Sequence, residues 1–181
     1  MDFMILENVK KYIFIIALLA IGGQMYASQE DNTDTYIKYS KEIMETFIKE
    51  CEKQFNLTFM GTCLGFSYNM AEINFIAYRK GTLEEARTLE VKMTEALLER
   101  INTHKKIRPL LSEYPFKPAN TSISISYQKE DGSNYLDGSI AVAYLEKNNL
   151  FYYTANPKTE KLDLLLKEPY GVAVKIVNKS K

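Results

Sequence analysis

One histidine, His104, and two cysteines, Cys51 and Cys63, are the first places to look for nucleophilic or metal chemistry in this chain. A Ser–His or Cys–His pair would have to use His104. That residue precedes Lys105 and Lys106 at the end of a predicted helix, where a role beside the negative helix terminus outweighs proton transfer. Two cysteines and one histidine form no recognisable zinc-ligand spacing. The sequence has no G-x-S-x-G, H-E-x-x-H, Walker or G-x-G-x-x-G motif, and its eight glycines do not cluster into a phosphate cradle. Paired carboxylates need proximity only in the fold. The adjacent acids Glu84-Glu85 and Glu130-Asp131 are more simply a helix start and a solvated turn. No residue is therefore assigned a catalytic, cofactor-binding or metal-binding role, and no cofactor is expected.

Two other features remain. Cys51 and Cys63 stand 12 positions apart, and a bridge closing such a loop stabilises by roughly 3 kcal/mol in the chain-entropy model. The competing reading is two buried free thiols. The second feature is aromatic: 13 tyrosines and 9 phenylalanines include the run Phe151-Tyr152-Tyr153. A strand there presents Phe151 and Tyr153 on one face and Tyr152 on the other. Unless both faces are covered by core, some aromatic surface is left open, so the run is the candidate interaction surface.

The elements that position these residues follow from periodicity. From Tyr36 through Ile43, Met44, Phe47, Ile48, Cys51 and Phe55, apolar residues recur at three- and four-residue intervals, predicting an amphipathic helix. Residues 57–68 and Ala71 to Tyr78 read as strands, with Ser67-Tyr68-Asn69 as the turn between them. Thr82 and Glu85 have capping-box spacing, and Leu83, Ala86, Leu89, Met93, Ala96, Leu97 and Ile101 form the stripe of a second helix. In KKIRPLLSEYPF (105–116), Arg108 is pushed toward extended geometry by Pro109. Pro109 can open a fresh turn, Leu110, Leu111 and Tyr114 are expected to seal it, and Pro115 ends it. From Thr121 the period becomes two, with Ile123, Ile125 and Tyr127 alternating against serines. Turns at Asp131-Gly132 and Asn148-Asn149 separate this strand from Ser139–Leu145 and Leu150–Thr154, predicting an antiparallel meander. Lys161–Leu166 offers another strand; in Pro169–Val177, Tyr170, Ala173, Val174 and Val177 fit a helix starting at Pro169, the preferred reading, while Val172, Val174 and Ile176 fit a strand.

The N-terminus differs. Lys10 and Lys11 precede an apolar run from Tyr12 to Ile21, then Gly22, Gly23 and Ala27, the pattern of a secretory signal peptide. The run is too short for the roughly 20 residues a membrane span needs. Residues 1–27 are thus read as signal peptide, 28–35 as a polar linker and 36–178 as one α+β domain. An uncut leader acting as a tether is the other reading. With 23 basic and 23 acidic residues the net charge is zero, which speaks against a nucleic-acid partner.

The segments LEEARTLEVKMTEALLERIN, IRPLLSEYPF, LFYYTANP and EPYGVAVKIV, in that order, resemble small secreted proteins of Gram-negative intracellular bacteria, over residues 60–178. The resemblance implies an exported α+β domain and carries no assigned activity. The expected architecture is an antiparallel sheet with two main amphipathic helices packed on one face. The expected function is contact with a protein or small ligand, in the periplasm or outside the cell. A hydrolase whose site forms only in the fold, and a membrane-tethered accessory factor, are the alternatives.

Overall fold

The computed structural model describes residues 34–62 and 70–179. The proposed signal peptide, its linker, the Ser67-Tyr68-Asn69 turn and Cys63 lie outside these residues. The chain divides into two compact units, 1–41 and 42–181. Of the first, only residues 34–41 are described, and they open a helix, α1, that continues to residue 55.

Within the second unit, Ile43, Met44, Phe47 and Cys51 of α1 are buried, as their spacing predicts. Asn56 ends the helix in the left-handed region at φ 51°, a conformation asparagine tolerates better than most residues. The two strands that follow, β1 (Thr58–Gly61) and β2 (Ala71–Ala77), are antiparallel. Arg79, just past β2, then clamps the end of α1. Its guanidinium donates to Phe55 O at 3.1 Å and Asn56 O at 2.7 Å, and to Glu85 Oε1 at 2.7 Å.

Helix α2 runs Leu83–Thr103 with Thr82 as its N-cap, the threonine hydroxyl accepting from Glu85 N at 3.1 Å. Glu85 does not complete the reciprocal box, because its carboxylate engages Arg79. After α2 the chain turns through Arg108–Leu110. The corner is sealed differently from the expectation: Ile107 and Phe116 are buried, while Tyr114 is exposed. Asn102 fixes the return, its side chain accepting from Phe116 N at 2.7 Å and donating to Phe116 O at 2.9 Å.

Strands β3 (Thr121–Tyr127), β4 (Ile140–Glu146), β5 (Asn149–Ala155) and β6 (Leu162–Pro169) form the expected meander, with β4, β5 and β6 each antiparallel to the strand before. The β4–β5 turn falls on Lys147-Asn148, one residue earlier than expected, with φ of 46° and 66° as a two-residue hairpin of this hand requires. Helix α3 (Tyr170–Lys179) follows directly and buries Tyr170, Ala173 and Val177 at helical spacing.

All six strands join in sequence order, β1 to β6, in one α+β sheet. The expectation of a wholly antiparallel sheet is corrected at one place. β2 and β3 are parallel, from Ala71 opposite Thr121 to Ala77 opposite Tyr127. α2 is the reason: a parallel neighbour needs a crossover long enough to return the chain to the same end, and this helix supplies it. It packs on the sheet face carrying Ile73, Phe75, Ile123, Ile125, Tyr127, Ala143, Leu145, Leu150 and Tyr152, all buried. No helix among the described residues is long and apolar enough to cross a membrane.

Candidate functional site

Strand β5 divides its aromatic residues between two environments. Tyr152 points into the core and is fully buried. Its hydroxyl donates to Glu168 Oε1 on β6 at 2.8 Å, and Arg87 Nε on α2 reaches the same oxygen at 2.7 Å. The Arg87 guanidinium also lies 5.8 Å from the centre of the Tyr152 ring. Three elements are thus joined by one carboxylate. Desolvation by burial, then the bond to Glu168, holds the Tyr152 phenol well above its ordinary pKa.

Phe151 and Tyr153 take the opposite face, where each is half-buried. Tyr144 of β4, directly across from Phe151, stacks on both: 5.0 Å and 15° to Phe151, 5.9 Å and 9° to Tyr153. The hydroxyls of Tyr144 and Tyr153 lie 3.4 Å apart, and this hydrogen bond, with burial, pushes the Tyr144 pKa up to about 12. Lys167 of β6 sits 5.0 Å from the Phe151 ring centre, within cation–π reach. The three rings and the ammonium group form a continuous row across three strands.

Beside that row lies β6, the last strand of the sheet. Leu164, paired with Tyr153, is 52% exposed, and Leu162 and Leu165 are 47% and 53% exposed. A bulge opposite the Tyr152–Tyr153 step shifts the β6 register. On the other side of the row, Ser122, Ser124 and Ser126 of β3 continue the same face with small hydroxyls. The outcome is a sheet face with aromatic residues at its centre, leucines at its edge and serines on its far flank.

The remaining candidates sit elsewhere. His104 caps the end of α2, its Nδ1 accepting from Ile107 N at 3.2 Å. Glu84 is exposed at the start of α2, and Glu130 and Asp131 are exposed on the β3–β4 loop. Asp131 Oδ1 there accepts from the Ser133 backbone and hydroxyl at 2.9 and 2.7 Å. Cys51 is a buried free thiol whose pKa burial pushes up to about 12, which makes it a poor nucleophile. A groove of about 290 Å³ runs between α1 and α2, bordered by Glu50, Lys92, Glu95, Glu99 and Arg100. Its charges are mixed, and Glu50 is paired with Arg100. Among the described residues no group of His, Cys, Asp and Glu is arranged to hold a metal ion.

One interior group was not marked by the periodicity. Glu90 is completely buried under α2, and so is Thr94 four residues on. Both fall inside the apolar stripe: Glu90 is four positions after Ala86 and three before Met93. The signal was available as a charged residue at a core position. Neither carboxylate oxygen of Glu90 has a hydrogen-bond partner among the described residues, and the same holds for the Tyr127 hydroxyl.

No family model, curated protein or solved structure matches the chain.

Proposed function

We propose that this is an exported protein that acts by contact with another protein, through the outer face of β4–β6 and not by turnover. The observation that carries the reading is the division of β5. Its inward tyrosine is locked to Glu168 and Arg87, while the outward pair stands with Tyr144 beside three exposed leucines on an edge strand. Exposed apolar patches of this kind mark interaction surfaces, and an edge strand offers unpaired backbone groups to an incoming chain. The Lys10-Lys11 and Tyr12–Ile21 leader supports export. The reactive side chains point the same way: His104 is engaged in capping and Cys51 is buried.

Site-specific photo-crosslinking in the producing cell tests the contact. A crosslinker at Leu164 is expected to capture a discrete adduct, and one at exposed Glu84 on α2 to capture none. Equal labelling from the two positions, or none from Leu164, contradicts the proposal. N-terminal sequencing of the protein recovered from outside the cytoplasm tests the export: a chain shortened near Ala27 is the expected result.

A further inference from the structure

Glu90 presents a problem that neither the fold nor the proposed contact face resolves. An ionised carboxylate is never left dry and unpaired in a protein core without a heavy penalty. The groups facing it can be named element by element. β3 contributes Tyr127, β5 contributes Tyr152, and α3 contributes Tyr170, each phenol near enough that a charge on Glu90 would raise its pKa. The buried residues of β4, Ile140, Ala141, Ala143 and Leu145, are all apolar. On β6, Glu168 is bound by the Tyr152 hydroxyl and Arg87. The nearby cation on α2, Arg87, is already held by Glu168 in both available contacts, at 2.7 and 3.5 Å. Lys92, Glu95 and Arg100 border the groove on the α1 side of the helix. Glu90 is thus fully buried with neither oxygen hydrogen-bonded among the described residues, and the guanidiniums nearest these phenols, Arg87 and Arg79, are held by Glu168 and Glu85.

We propose that Glu90 is carried as a neutral carboxylic acid in the folded protein, and that loss of its proton loosens the packing of α2 on the sheet. The core is closed by a proton. Desolvation acts in the same direction, holding the acid well above its ordinary value of 4.5. The sign follows from linkage. The folded chain keeps a proton that the unfolded chain releases above about pH 4.5, so stability is full below that pH and falls as pH rises toward the folded-state value. The tyrosines are neutral through this window in both states. The contribution of Glu90 is thus greatest in acid and is lost as the surroundings become alkaline.

The test compares the wild-type chain with Glu90→Gln, which keeps the shape and removes the titration, by urea denaturation between about pH 5 and about pH 8.5. The folded-to-unfolded ratio of the wild type is expected to fall with pH more steeply than that of the variant, by up to about tenfold per pH unit between the ordinary value of 4.5 and the folded-state value. All other titrating groups are common to both chains and cancel. Identical slopes overturn the proposal. Should the variant fail to fold, the infrared spectrum of the wild type at about pH 6 decides, because ordinary carboxyl groups are almost wholly ionised there. A protonated-carboxyl band sustains the proposal, and its absence overturns it.

Discussion

Gly81 lies flat against the ring of Tyr127, so close that a Cβ at this position would stand 2.6 Å from the ring's Cγ. The contact joins the approach to α2 to the last inward residue of β3. Gly81 also pairs with Ile140 on β4, its carbonyl accepting from Ile140 N at 2.9 Å. Tyr127 is fully buried and has nowhere to retreat. Gly81→Ala is expected to destabilise the fold by about 1–3 kcal/mol, the usual range for overpacking, measured by urea denaturation. An unchanged midpoint would show that the ring can move.

Tyr152→Phe removes one hydroxyl from the carboxylate that joins α2, β5 and β6. Glu168 keeps Arg87 but loses a bond to a charged acceptor in the core. The expected cost is about 1.5–3 kcal/mol, with the same fold by circular dichroism. A loss below a few tenths of that range would mean that Arg87 alone satisfies Glu168.

Much of this was legible beforehand, because local chemistry sets it. Thr82 starts α2 and the Ile/Ser alternation makes β3, whereas the last segment fitted helix or strand until burial of Tyr170, Ala173 and Val177 decided for α3. The parallel β2–β3 pair was not legible, since period two is the same in either direction and only the crossover decides. The turn at Lys147-Asn148 shifted by one because the left-handed conformation, not the asparagine count, selects its position. The β5 alternation was read correctly. That Tyr152 would meet Glu168 and Arg87 was not, because those residues are distant in sequence. Glu90 was passed over because a stripe read from its apolar members hides the charged residue among them.

Acid sensitivity on the surface has the opposite sign to the Glu90 effect. Asp137 is held far below its ordinary 3.8 by hydrogen bonds from Lys80 and Ser139, and Asp131 is lowered by Ser133. Both are charged in the folded state at pH values where the unfolded chain begins to take up protons. Their contribution is present above about pH 4 and is lost as pH falls below it. Asp137→Asn is expected to flatten the acid limb of the stability curve and leave the neutral region unchanged. A pH-stability titration of both chains reads this directly.

Cys51 should be inert until the core opens. In a Cys63→Ser chain, iodoacetamide labelling of Cys51 is expected to be slow at neutral pH and to rise with urea in step with unfolding. Cys51 borders the α1–α2 groove but is only 2% exposed, so fast labelling of the native chain would show that the groove opens to the reagent.

The separation of the two faces of β5 is tested most directly by one paired measurement on the variant Tyr153→Ser/Leu164→Ser. Melting temperature and photo-crosslinking from the neighbouring Leu162 position are recorded on the same preparation. A chain that melts within a few degrees of the wild type but no longer forms the adduct is the predicted result. A variant that unfolds, or one that crosslinks as before, contradicts the assignment of the outer face as the surface through which this protein works.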